Sequence, residues 1–129
     1  MGNTKPYNTL FLDRDGVINQ QRPHDYVKSV DEFIFLDGAL EALTLLSPLF
    51  THIVIVTNQR GVGKGVMSQT DLDNVHAYML EEVAKQGGRI DKIYVCTDTS
   101  NSSINRKPNT GMATQAKLDY PDIDFSRSM

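Results

Sequence analysis

A doubly wound, three-layer α/β domain built on a parallel sheet is the fold that this 129-residue sequence predicts, on two observations. Three short runs are apolar almost throughout, as strands of a parallel sheet covered on both faces are. Between and after them lie stretches with apolar residues at helical spacing. The order is therefore β-α-β-α-β-α, which implies right-handed crossovers and helices on both faces of the sheet.

In chain order, residues 9–12 read as a short buried strand running into Asp13. Residues 38–46 carry Leu40, Leu43 and Leu46 on one side of a helix, which Pro48 ends. Residues 52–56 form a second, β-branched strand that stops at Thr57-Asn58. Ser68, with Asp71 three residues on, opens a longer helix with a capping-box pair. Its apolar positions Leu72, Val75, Met79, Leu80 and Val83 recur at threes and fours, and Gly87-Gly88 stop it. Residues 90–96 are the third strand and residues 111–118 the third helix, with Pro121 beyond it. The polar segment 20–35, with Pro23, His24, Asp25 and Tyr26, is too short for a separate cap domain. With no internal repeat or linker, residues 1–129 read as a single domain.

The 40% hydrophobic and 22% charged content are those of an ordinary soluble globular protein. A net charge of −3 provides no basic face for nucleic acid. No segment approaches the ~20 apolar residues that span a membrane, and the first residues lack the apolar core of a leader, so a cytoplasmic protein without a membrane partner is expected. Cys96 is the only cysteine, which excludes an intrachain disulfide and a multi-cysteine zinc site.

The residues that carry chemistry stand at the carboxyl ends of the strands, where ligands collect in open α/β sheets. Phe11-Leu12-Asp13-Arg14-Asp15-Gly16-Val17-Ile18-Asn19 is the most informative stretch. Residues i and i+2 of an extended segment project to one side, so Asp13 and Asp15 are placed to converge, and Gly16 lets the chain turn closely about a ligand. Such a pair suits a nucleophile with a general acid, or a hard cation bound through oxygen. Alone, the segment also fits a strand-to-loop junction with solvated acids. Thr57-Asn58-Gln59-Arg60-Gly61 follows the second strand, and Arg106-Lys107-Pro108 follows the third. Gly61-Val62-Gly63-Lys64-Gly65 fails as a nucleotide loop, because Gly65 stands where a P-loop has Ser or Thr and Val66 where a dinucleotide fingerprint has glycine. It reads as a flexible loop, with Lys64 an outside candidate for substrate contact.

Taken together, Asp13 to Asn19, Thr57 to Gly61 and Arg106-Lys107-Pro108-Asn109-Thr110-Gly111-Met112 resemble the motifs of the haloacid dehalogenase (HAD) phosphohydrolases. The match is closest to the branch containing heptose-1,7-bisphosphate phosphatase and the histidinol-phosphate phosphatase domain. The resemblance covers about residues 10–116 and implies a HAD-like fold and a magnesium-dependent phosphatase working through an aspartyl-phosphate intermediate. By that resemblance Asp13 is the nucleophile and a magnesium ligand. Asp15 is the general acid and base, with its backbone carbonyl on the metal. Thr57 and Lys107 bind the transferring phosphoryl group, while Asn19, Asn58, Gln59 and Arg106 contact the substrate. A sugar bisphosphate such as heptose 1,7-bisphosphate is the favoured substrate and histidinol phosphate the second.

This sequence departs from the family pattern in two places. Where relatives place a Cys-x-His and Cys-x-Cys zinc site, it has Cys96, Asp98, Ser103 and Asn105, so no zinc is expected. The fourth motif, whose acid completes the magnesium site, is not found by Met129, so the C-terminal part of the family fold is read as missing. The exposed apolar edge of the first strand is then expected to be covered by a neighbouring chain, through self-association, or by a local rearrangement. The same departure supports an alternative, a non-catalytic domain that binds a phosphorylated ligand or partner.

Overall fold

Three parallel strands, β1 (Tyr7–Leu12), β2 (Phe50–Asn58) and β3 (Lys92–Cys96), lie side by side in sequence order. The computed structural model describes residues 5–22, 25–97 and 111–129, with only the main chain of Ala113 and Arg127. Leu10 pairs with Ile53 and Leu12 with Ile55, while Asn58 pairs with Cys96 at the far end. Helices α1 (Ala39–Leu46) and α3 (Gln69–Lys85) make successive crossovers in one direction and pack on one face; α4 (Gly111–Asp119) packs on the other.

Strand alternation divides the core. Ile53 and Ile55, both fully buried, face Leu43 of α1 and Val75, Met79 and Val83 of α3. Val54, between them, faces Met112 and Ala116 of α4 together with Tyr94, Cys96 and Ile123. The expected strands and three helices are present, and Ser68 and Asp71 form the capping box that opens α3. Gly87, at a φ of 84°, ends α3 in a left-handed conformation that suits glycine.

Three expectations need correction. Leu80 lies on the exposed side of α3, and its expected place toward the core is taken by His76. Of the expected flexible loop 61–65, residues 61–63 belong instead to a helical turn, α2 (Arg60–Gly63). The segment 20–35 is less polar in effect than in composition. Val27 and Phe33 are buried in the core, and the hydrogen bonds Gln20 N to Ile34 O (2.7 Å) and Leu36 N to Ile18 O (2.9 Å) pin its two ends together.

The outer edge of β1 is partly met by the chain itself. Met129 donates to Thr9 O (2.9 Å) and accepts from Phe11 N (2.8 Å), and Phe125 stacks on Phe11 with ring centroids 5.9 Å apart. No helix among the described residues is long and apolar enough to cross a membrane.

Because Ile53 has no exposed surface and lies between α1 and α3, Ile53→Ala should cost about 2–5 kcal/mol through lost transfer energy and a residual cavity. Urea unfolding of the two proteins measures the difference.

Candidate active site

β1 stops at Leu12, and the next residues turn sharply at the carboxyl end of the sheet. Arg14 O accepts from Val17 N (3.1 Å), Ile18 N (2.8 Å) and Asn19 N (3.3 Å), while Gly16 takes a φ of 83°. Asp13 points to solvent, with Oδ1 accepting from Arg14 N at 2.7 Å. Arg14 points inward and is wholly buried. Asp15 therefore sits beside a buried guanidinium. Its Oδ1 accepts from Arg14 Nε (3.0 Å), Arg14 Nη2 (2.7 Å) and Asn19 Nδ2 (3.0 Å), and its Oδ2 from Gln59 Nε2 (3.1 Å).

The end of β2 completes this cluster. Gln59 also donates from Nε2 to Thr57 Oγ1 (2.8 Å), and its own N–H is held by Cys96 O (2.7 Å), so the three strand ends are joined through one residue. Thr57, Gln59 and Asn19 are buried, and the amides of Asn19 and Gln59 are turned toward Asp15. Asn58 is half-buried and reaches a cleft of about 150 Å³ that Asp15, Arg22, Asp25, Tyr26 and Arg60 also line. The structure thus brings together Asp13, Asp15, Asn19, Thr57, Asn58 and Gln59. Arg106, Lys107, His24, Asp98, Ser103 and Asn105 lie outside the described residues. Cys96 is buried among Val54, Tyr94 and Met112.

The segment 20–35 forms one wall of the cleft. Arg22 and Lys28 both pair with Asp25, at 3.0 and 2.8 Å. Hydrogen bonds from Lys28, from the Tyr26 main chain and from Arg22 hold the Asp25 carboxyl well below the usual range. Tyr26 lies flat on Gly61 of α2: a Cβ at Gly61 would stand 2.9 Å from Tyr26 Cγ. Lys64 Nζ is 5.9 Å from the centre of the same ring.

Two residues missed by the sequence reading organise the site. Arg14 reads as the spacer between two acids, yet it is the buried partner of one of them. His76 falls between Leu72 and Met79 at the helical spacing of the core, and its Nε2 lies 3.0 Å from Arg14 Nη1. A guanidinium only donates, so this imidazole is neutral with Nε2 accepting. Burial first, and the Arg14 charge second, push the His76 pKa down to about 4.

No three Asp, Glu, His or Cys side chains among the described residues surround one point. For a cation this strand end offers the Asp13 carboxylate and main-chain oxygens of the turn, hard donors of the kind magnesium takes. The Asp15 carboxylate is occupied by its four hydrogen bonds.

A family model described as polynucleotide kinase 3 phosphatase matches residues 8–129. The chain belongs to this phosphatase family. Among curated relatives, a D-glycero-alpha-D-manno-heptose-1,7-bisphosphate 7-phosphatase of Mycobacterium bovis is 41% identical over 116 residues, covering 89% of this chain and 61% of its own. A D-glycero-beta-D-manno-heptose-1,7-bisphosphate 7-phosphatase of Neisseria meningitidis is 41% identical over 104 residues, covering 80% of this chain and 55% of its own. The chain thus spans about three fifths of the length of these relatives. The crystal structure of D,D-heptose 1,7-bisphosphate phosphatase from B. bronchiseptica, complexed with magnesium and phosphate, is 35% identical. It superposes with a TM-score of 0.83 over 91% of this chain and 65% of its own. The HAD-like α/β architecture expected from the motifs is the one observed.

Two predictions follow from the geometry. Gly61→Ala should destabilise by roughly 1–3 kcal/mol, because the new methyl displaces the Tyr26 ring. In a Tyr26→Ala background the same change should cost much less, and a double-mutant cycle of urea midpoints reads the coupling. His76 contributes a pH-dependent stability that is complete above its unfolded pKa of 6.5 and is lost as pH falls toward 4, since the unfolded chain protonates first. Between pH 7 and 4 the native protein should lose on the order of 2–3 kcal/mol more than His76→Gln does.

Proposed function

We propose that this domain is the catalytic part of a cytoplasmic phosphomonoesterase that acts on a small sugar bisphosphate through an aspartyl-phosphate intermediate. The observation that carries the reading is the geometry of Asp13 and Asp15 at the carboxyl end of β1. Asp13 faces solvent, and Asp15 is braced beside it against the end of β2. Membership of a phosphatase family and likeness to enzymes named as heptose bisphosphate phosphatases support it.

Asp13 Oδ attacks phosphorus, and the bond to the sugar oxygen breaks as the acyl phosphate forms. Asp15 gives its proton to the leaving alkoxide, then takes one from the water that attacks the acyl phosphate; inorganic phosphate leaves and Asp13 is restored. In the observed rotamer the Asp15 carboxyl only accepts, so this exchange requires it to give up a bond and turn toward the leaving oxygen. Thr57 and Asn58 bond phosphoryl oxygens, Lys107 balances their charge, and Arg106 takes the remote phosphate with its planar fork. The Asp13 carboxylate and the Asp15 backbone carbonyl would hold magnesium, which would supply charge neutralisation between the phosphoryl group and the attacking acid.

The proposal is to the bisphosphate class and not to one anomer, because identity is 41% to both the alpha- and the beta-named relative. A 3′-phosphorylated oligonucleotide is the competitor that the family description brings in, and a net charge of −3 disfavours it.

Asp13→Asn should abolish magnesium-dependent phosphate release, an amide being a far weaker nucleophile. Phosphate release by the native protein should favour the heptose bisphosphates over histidinol phosphate and over the oligonucleotide. A preference for the oligonucleotide would overturn the substrate class, and full turnover by Asp13→Asn would remove the nucleophile. Arg106→Ala should raise KM about tenfold or more for the bisphosphate and less for a monophosphate ester, on the scale of one charged hydrogen-bonding group.

A further inference from the structure

His76 has no place in the reaction just described, yet it bonds the guanidinium that holds Asp15. Its imidazole is buried in α3 between Val75 and Met79, in a helix position otherwise given to apolar side chains. Its Nε2 accepts from Arg14 Nη1 at 3.0 Å, and the same guanidinium reaches Asp15 Oδ1 through both Nε and Nη2. Arg14 has no exposed surface, so no solvent molecule can replace an acceptor that is lost, and Phe33 lies across it with its ring centre 5.7 Å from Cζ. The guanidinium is planar. Fixing Nη1 from the α3 side therefore fixes the direction in which Nε and Nη2 point.

We propose that His76 is a positioning residue for Asp15, acting through Arg14: its unprotonated Nε2 holds the guanidinium in the one orientation that presents two donors to Asp15 Oδ1. This deepens the phosphatase reading and rests on Asp15 as its acid and base. Asp15 has to leave its observed rotamer to reach the leaving oxygen and then return. A rigid guanidinium gives it one resting place, whereas a guanidinium that has lost its third anchor can swing and carry the carboxylate with it. Displacements on the ångström scale are enough to slow a positioned proton transfer by about 10–100-fold. Phosphoryl binding involves neither His76 nor Arg14, so KM is left alone. The geometry also sets the tautomer: with Nε2 accepting, the ring proton is on Nδ1. The other charges near the ring are Asp15 and Asp73, and both are acidic.

The test uses the full chain as His76→Leu, which removes the acceptor, and His76→Gln, whose amide oxygen can stand in for Nε2. Phosphate release from a heptose bisphosphate should show kcat lowered at least tenfold in His76→Leu with KM unchanged, and kcat restored to within about threefold in His76→Gln. Nitrogen-15 spectra at neutral pH, which need no turnover, should show an Nδ1–H imidazole in the native protein. They should also show an Arg14 Nε–H protected from exchange in the native protein and in His76→Gln, but not in His76→Leu. Native kcat in a folded His76→Leu, equal losses in both variants, or an Nε2–H tautomer would each overturn the proposal. A native protein without phosphatase activity would fail the functional reading alone. In that case the spectra still decide whether His76 anchors Arg14.

Discussion

A guanidinium with no exposed surface lies beside an acid at the carboxyl end of the sheet, and much of the surrounding structure is arranged around it. Burying a charge costs several kcal/mol unless it is paired and its donors are met. Arg14 meets that demand with Asp15 on two donors, His76 on a third and Phe33 across one face. Each partner comes from a different element. Asp15 belongs to the turn after β1, His76 to α3, and Phe33 to the segment that closes back on Ile18. The register of α3 is constrained as well. A rotation that brought Leu80 inward would take His76 away and leave the cation short of an acceptor.

The fold was legible in the sequence because its elements follow local rules. Continuous apolar runs gave the strands, and the Ser68–Asp71 pair gave the start of α3 to the residue. The site was legible as far as the acids and Thr57, because those residues announce themselves by type and position after a strand. Its supporting residues were not. Arg14 among acids looks like a solvated charge, and nothing local says that β1 turns it under the sheet end. His76 carried the better signal. A lone histidine four residues after Leu72 and three before Met79 is polar at a core position, and such a residue requires a buried partner. The expectation of a loop at residues 61–63, which proved helical, has a plain cause too. Three glycines in five residues suggest looseness, but the ring of Tyr26 lies on Gly61 and leaves no room there for a side chain.

That contact gives the segment 20–35 its function as a wall. Tyr26 rests on α2, Val27 and Phe33 are anchored in the core, and the ion pairs of Arg22 and Lys28 with Asp25 brace the exposed side. Its described residues are thus held at both ends of the segment and in its middle.

On the proposed mechanism Asp15 combines a structural duty with a chemical one, and ordinary mutagenesis confounds the two. It is the only carboxylate bonded to Arg14, so replacing it with an apolar residue leaves a buried cation with His76 as its sole hydrogen-bond acceptor among the described residues. Loss of activity in such a variant reports a damaged sheet end as readily as a missing proton donor. Replacement by Asn keeps an oxygen for the guanidinium, and the amide's donors can turn toward Gln59 if the Gln59 amide flips. That substitution removes the titratable proton at a smaller structural cost. The two acids stand close together in different surroundings. Asp13 is exposed to solvent, with Arg14 N on its Oδ1. Asp15 rests on four hydrogen bonds from Arg14, Asn19 and Gln59, and these define its resting rotamer.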